Sequence, residues 1–519
     1  MTDVSRRSFI GMGASAAALA AFGLAGCAPK QASSESSASA VSGSAADVKW
    51  DKEADVVVVG YGGAGAAAAI EAKRAGAEVV VLEEMPKGGG STAACGGFIM
   101  MGGTPLQKKF GIDESVDNFY EYLCAAGGAN ANKDAIRLVA DNSPALYDWC
   151  VECGMDFESG QVDTEHHLGG FNKGISLGFS GNEMARDYAA AAEPVPHGHL
   201  PQPGSSGQDI FKALSATVES LGIEVLLETP ARRLVVDGGR VVGVMAEGPD
   251  GECAVRARKG VVLAAGGFTD NDEMVAACWP YPNERATSKI SGGNENGSGI
   301  AMGLAIGAAT RGLGDFQIGA PTVTMAEPLA NGVLIDGKGR RIVAEDEYNS
   351  FMGKAITLAP TSTCYLLIDA SFVQDDAAKK WAGEYVATVA SVEEAAAATG
   401  IAASVLQRTI EFYNRSVEAG VDDEFGKDPR FLATPLEAPF DIYKRGSAAC
   451  NFGSCGGLKI DLDARVLDTA DAPILGLYAA GRNSGSIYGW YMGSGSSMAD
   501  VLTFGRIAGK NAAAESAEA

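Results

Sequence analysis

The run GRNSGSIYGWYMGSG, residues 481–495, sets Tyr488, Trp490 and Tyr491 among glycines and serines just before the last helical pattern of the chain. Glycine is costly inside a helix or a strand, so the run reads as a loop. A phenol on such a loop can give or take a proton without carrying charge, and flat rings can pack a planar apolar substrate. The same rings could instead be interdomain packing, since buried aromatics are usually core. His197 and His199, in PVPHGHLPQPG, have His-x-His spacing, but two ligands without nearby acids or cysteines do not make a metal site. A structural or substrate-lining role is expected for both. The ten cysteines include the close pairs Cys150/Cys153 and Cys450/Cys455, with no compact four-cysteine signature. They read as core residues or occasional disulfides, and no metal is expected.

The elements that must position this loop lie upstream. In ADVVVVGYGGAGAAAAIEAKRAGAEVVVLEE an apolar strand, Val56 to Val59, runs into Gly60, Gly62, Gly63 and Gly65. An alanine-rich helix follows, then a second strand, Val79 to Leu82, ending at Glu83. The first glycine permits the tight turn, and the second lets backbone approach a pyrophosphate. The third lets helix pack on strand, with the helix N-terminus facing the phosphates. Glu83 stands where an acid would hold ribose hydroxyls. This is a Rossmann βαβ unit.

PKGGGSTAACGGFI then adds a second glycine-rich loop, with Gly90, Ser91, Thr92, Gly96 and Gly97, which suits a longer dinucleotide. GIEVLLETPARRLVVDGGRVVGVMAEG reads as strand, turn and hairpin and contains Ala231. KGVVLAAGGFTDND gives a buried strand that runs out at Ala265 and Gly266, and PILGLYAAGRNSG repeats that pattern at Gly481 and Arg482. Separated segments converging on one nucleotide are the layout of FAD-dependent reductases, and FAD is the expected cofactor.

From about Asp55 to Ala513 the chain resembles the flavoprotein family of fumarate reductases, 3-ketosteroid dehydrogenases and urocanate-type reductases. LAAGGFTDN, and GLYAAGR with FGRIAG behind it, carry the likeness. The resemblance implies an α/β fold: a Rossmann-type FAD-binding domain in two parts, 51–314 and 440–519, with an inserted α+β capping domain at 315–439. It also implies non-covalent FAD. The helix begun by Ser496, Ser497 and Met498 is expected to aim its N-terminus at the flavin pyrimidine edge and stabilise negative charge there.

Fumarate reductases bind a dicarboxylate with arginines and histidines, because two carboxylates in a closed site need paired cations and donors. At the two arginine positions this chain has Asn349 and Met492, and the histidines are replaced within NFGSCGG and in GAPT, Gly319 to Thr322. EDEYNSFMG, and GGFIMMGGTPLQ from Gly96 to Gln107, are similar instead to the branch containing 3-ketosteroid Δ4-dehydrogenases. By that resemblance Tyr348 matches a capping-domain tyrosine. Tyr491 and Ser494 approximate a Tyr/Ser pair, three apart rather than two, with Tyr488 as a rival. The implied reaction reduces or forms a C=C bond conjugated to a carbonyl in a small apolar substrate, with a tyrosine handling the α-carbon proton. Two rivals stand beside it: an organic-acid reductase using Arg285, Lys289 or Arg445, and a flavin electron carrier without substrate chemistry.

The 519 residues carry a formal net charge of −24, which repels nucleic acid, and no basic run offsets it. SRRSFI, Ser5 to Ile10, precedes the mildly apolar GMGASAAALAAFGLAG and resembles a twin-arginine export signal. LAGC, Leu24 to Cys27, resembles a lipobox with Cys27 as the acylated residue. A chance arginine pair before an ordinary signal, and a plain signal-peptidase cut, are the alternatives. Residues 1–27 are thus expected to be a lipoprotein signal and 28–50 a flexible Ser/Ala tether. The mature protein is expected on the outer face of the cytoplasmic membrane. Since neither an NAD-binding nor a CxxCH haem motif is evident, a separate membrane or cytochrome partner is expected to supply electrons.

Overall fold

In the run KEADVVVV the last four residues are all apolar, because both faces of the strand they form are covered. The computed structural model describes residues 48–164, 174–181, 183–202, 204, 206–281, 288–289, 291–320, 327–374, 376–446 and 450–516. The signal with Cys27, residues 28–47 of the tether, Arg285 and the Pro321–Thr322 end of GAPT lie outside them. The last tether residues are not free: Val48 and Trp50 pack against Val235, Val242, Met245 and Ala254, because their apolar side chains cover that cluster.

The first layer is built from β1 (Lys52–Val59), α1 (Gly63–Arg74), β2 (Val79–Leu82), β3 (Glu224–Leu226), β4 (Ala231–Asp237), β5 (Arg240–Gly248) and β6 (Gly251–Leu263). β1 lies between β2 and β6, parallel to both. β3 extends the parallel sheet beyond β2. β4 and β5 form an antiparallel hairpin that continues onto the first half of β6. This is the expected strand, turn and hairpin.

The second layer follows in sequence: β7 (Val333–Asp336), α2 (Asn349–Leu358), β8 (Thr363–Asp369), β9 (Glu384–Val389), α3 (Ala403–Ala419) and β10 (Phe440–Gly446). Its four strands form an antiparallel sheet in the order β7-β8-β10-β9, so the sheet reaches seven residues past Pro439 to Gly446. Strand periodicity splits the side chains between two apolar clusters. Leu334, Leu366 and Ile368 pack with Met352 and Ile356 of α2. Val333, Ile335 and Leu367 pack with Leu406, Ile410 and Tyr413, the apolar stripe of α3.

The chain then returns to the first sheet with β11 (Pro473–Ala479), parallel to β6, and ends in α4 (Ser496–Ala514). α4 lies on α1 at backbone distance: a Cβ at Gly509 would stand 2.0 Å from the Ala68 carbonyl oxygen. The carboxyl ends of β1, β6 and β11 therefore share one edge, capped by the N-termini of α1 and α4. Open α/β sheets bind ligands at such an edge.

A buried ion cluster holds the segment that presents Tyr348. Arg341 pairs with Glu345 at 2.7 Å and with Asp422 at 2.8 Å, and Lys427 reaches Glu345 at 3.2 Å. Burial alone would raise the Glu345 pKa, but Arg341 and Lys427 outweigh it and hold the carboxyl below its usual range. Glu345→Gln leaves two buried cations short of a partner and should cost about 3–5 kcal/mol in urea unfolding. The contribution of Glu345 is present above its unfolded pKa and is lost in acid, as pH falls through the lowered folded value.

Candidate active site

A cavity of about 350 Å³ lies at the shared strand edge. Gly60, Gly62 and Gly63 line it from the turn after β1, and Glu83 lines it from the end of β2. Gly90, Ser91, Thr92, Gly96 and Gly97 contribute the second glycine loop, while Ala231, Ala265 and Gly266 come from the hairpin and β6. Gly481 and Arg482 follow β11, and Ser497 and Met498 belong to the first turn of α4. Two expected members stand behind the wall. A Cβ at Gly65 would meet the Gly60 carbonyl oxygen at 1.9 Å, so this glycine serves helix-on-strand packing. Ser496 donates its hydroxyl to Gly493 O at 2.9 Å and closes the loop before α4.

The cradle fits a dinucleotide. Gly62 caps α1 with an ordinary φ of −91°, and a Cβ there would meet no protein atom nearer than Gly89 O at 3.9 Å. Neither backbone strain nor a protein neighbour requires glycine at this position, whereas a pyrophosphate on the helix N-terminus would. Glu83 accepts from the N–H groups of Tyr61 at 2.6 Å and Met85 at 2.8 Å, and burial pushes its pKa up. Gly495, the cap of α4, has no side chain to satisfy first-turn donors, so the Ser497 and Met498 N–H groups offer partial positive charge at the cavity.

At the other end, Tyr348, Tyr491 and Ser494 line the cavity. Tyr348 precedes α2 as its cap and Ser494 precedes α4, and their hydroxyls are 3.0 Å apart. The Tyr348 and Tyr491 rings stack at 6.4 Å, and Tyr491 stacks on Tyr488 at 6.0 Å. Tyr488 is the back of this ladder and does not line the cavity; its buried phenol sits near Asp500, whose carboxyl burial pushes up to about 7. Trp490 is 41% exposed and stacks under the Lys354 amine at 4.0 Å, outside the cavity. Burial holds the Tyr348 phenol far above its usual range and pushes Tyr491 up to about 12. Both are proton-bearing at neutral pH.

Several lining residues carry no clear sequence signal. Glu295 accepts from the Ser91 hydroxyl at 2.6 Å and faces Arg482 at 3.4 Å. Its run SGGNENGSG, residues 291–299, is rich in glycine and asparagine, the one feature that marks it. Arg482 also donates to Phe452 O at 2.7 Å and Gln317 Oε1 at 3.2 Å. Lys289 is bonded to Asp272 at 2.7 Å, and Arg445 to Trp381 O at 2.7 Å and Ala382 O at 3.0 Å; neither lines the cavity. Among the described residues Arg482 is therefore the cation in the wall, and it is already engaged. His197 and His199 are fully buried away from it. The described cysteines, Cys150, Cys153 and Cys455 among them, are free thiols.

The FAD binding domain family matches residues 55–498. The NADH:fumarate oxidoreductase of Klebsiella pneumoniae is 30% identical over 478 residues, 89% of this chain; the match spans 48% of that longer protein. The Shewanella frigidimarina fumarate reductase (cytochrome) is 29% identical over 474 residues, 88% of this chain and 77% of its own length. The crystal structure of 3-ketosteroid-Δ4-(5α)-dehydrogenase from Rhodococcus jostii, in complex with 4-androstene-3,17-dione, superposes with a TM-score of 0.80 at 35% identity, covering 91% of this chain and 99% of that one. Fold, cradle and likeness together define an FAD-dependent oxidoreductase. The chain belongs to the FAD binding domain family, in the group that holds fumarate reductases and 3-ketosteroid dehydrogenases.

Proposed function

We propose that the enzyme reduces, or forms, a C=C bond conjugated to a carbonyl in a flat, uncharged substrate such as a 3-ketosteroid-like enone. The observation that carries this reading is the Tyr348–Ser494 hydroxyl pair, 3.0 Å apart in a wall whose described cation is engaged elsewhere. A carboxylate brought into that end would lack the cation its desolvation demands, whereas an enone needs only hydrogen-bond donors. Bound FAD supplies hydride exchange with the substrate β-carbon. Tyr348 holds the proton at Oη for the α-carbon, and Ser494 orients that hydroxyl and shares its charge. The Tyr491 ring presents an apolar face to a planar substrate. Burial of the Tyr348 phenol keeps the proton on it until it is needed.

Anaerobic reoxidation of the reduced holoenzyme by a substrate panel tests this. A 3-ketosteroid or other enone should oxidise it. Oxidation by fumarate-type acids alone would instead establish an organic-acid reductase, and no response to any member would leave an electron carrier.

Electrons would reach the flavin from a membrane or cytochrome donor, in keeping with the likeness to a cytochrome-type fumarate reductase. The twin-arginine run and LAGC support export and a lipid anchor at Cys27. Cys27→Ser should move active enzyme from the membrane pellet to the soluble extracytoplasmic fraction; a variant that stays in the pellet would place the anchor elsewhere.

A further inference from the structure

We propose that His197 is a positioning residue for the Tyr348–Ser494 hydroxyl pair, acting through Glu183 and the Ser180–Gly181 turn; this rests on the role given to that pair above. The imidazole is fully buried, with Nε2 2.7 Å from Glu114 Oε1 and Nδ1 3.4 Å from Glu183 Oε1. Neither carboxylate side chain is exposed, so a charged imidazolium between them is what makes both burials tolerable. Burial alone would lower the His197 pKa, but Glu114 and Glu183 outweigh it and push the group up to about 9. Among the described residues the other groups facing it are uncharged: the Tyr122 ring stacked at 4.7 Å, the Phe119 ring at 5.0 Å, and His199, which burial holds down to about 4.

Glu183 passes this charge on as geometry. Its Oε1 accepts from the Ser180 N–H at 2.7 Å and the Ser180 hydroxyl at 2.6 Å, and its Oε2 accepts from the Gly181 N–H at 2.9 Å. The turn thus tied down touches both members of the pair. Ser180 O accepts from the Ser494 N–H at 2.9 Å. Gly181 lies so close under Tyr348 that a Cβ would stand 2.3 Å from the ring. Loss of the imidazolium leaves Glu114 and Glu183 as buried acids without a cation between them. Glu183 must then take up a proton or move, and the turn under Tyr348 loosens with it.

His197→Gln in the holoenzyme should lower kcat by on the order of 10- to 10²-fold, the scale of a small misplacement at the reacting groups, with KM and flavin content unchanged. The wild-type kcat should fall as pH rises through about 9, where the imidazolium is lost. Glu114→Gln keeps a hydrogen-bond acceptor but removes one attraction, so that limb should move to lower pH. A limb that is absent, or that stays in place in Glu114→Gln, overturns the proposal. A substrate-free readout separates this from the functional reading. In holoenzyme carrying Cζ-labelled tyrosine, the Tyr348 resonance, assigned by its loss in Tyr348→Phe, should shift over the same pH range in wild type and not in His197→Gln. A resonance blind to that range overturns the inference, whereas a shifting resonance in an enzyme that no enone oxidises overturns only the enone assignment.

Discussion

Tyr348→Phe should lower enone turnover by on the order of 10²-fold while leaving flavin content unchanged, the usual scale for a lost general acid. That loss corresponds to about 2.7 kcal/mol of transition-state stabilisation. Tyr348 lines the cavity, and the hydroxyl that is removed bonds Ser494 at 3.0 Å, while the ring that remains keeps its stacking on Tyr491. The fold should therefore be undisturbed, and a single-turnover reoxidation trace isolates the chemical step. Tyr488→Phe is the internal control: its ring backs Tyr491 and its phenol stands outside the cavity, so turnover should change little. If Tyr348→Phe retains wild-type turnover when chemistry is rate-limiting, the tyrosine is packing and the proton comes from elsewhere.

Gly62→Val should abolish FAD retention in a protein that still folds. At φ −91° a side chain is permitted, and the nearest protein atom to its Cβ would be 3.9 Å away. The apoprotein loses only what a poorer N-cap costs α1, so its circular dichroism should match that of stripped wild type. The branched side chain would occupy the space before the N-terminus of α1, where the pyrophosphate must approach. Flavin absorbance per protein after purification is the measurement. A yellow Gly62→Val protein would show that the dinucleotide does not cross this turn. Loss of fold together with loss of flavin would show instead that Gly62 is structural.

The nucleotide end of the site was legible because its chemistry is local. Gly60, Gly62 and Glu83 lie within one βαβ unit, where turn sterics, helix polarity and strand length all bear on neighbouring residues. The hydroxyl pair is a different matter. Tyr348 and Ser494 are 146 residues apart, and no periodicity reports that the cap of one helix meets the loop before another. Resemblance nominated both, but the choice between Tyr488 and Tyr491 turned on which ring faces the cavity, and residues three apart on a loop give no sign of that. Glu295 and Gln317 enter from further strands and loops and are recognised only by what they hold, Ser91 and Arg482. His197 and His199 share a motif, yet their surroundings shift them in opposite directions, the carboxylates beside His197 raising its pKa and burial lowering that of His199.

Tyr348 is presented by the stretch that builds the second sheet, and Ser494 by the loop that leads into the flavin-facing helix. On the proposed mechanism the proton donor and the cofactor cradle thus belong to separate inheritable cassettes of one gene product, with the Tyr348–Ser494 bond at their junction. A change in the inserted stretch can rewrite which protons are offered, and to what shape of molecule, without renegotiating how the coloured cofactor is held. Fumarate-type and steroid-type enzymes could then diverge by editing one cassette around a constant redox engine, and swapped cassettes between such relatives would be expected to keep their colour more readily than their reactions.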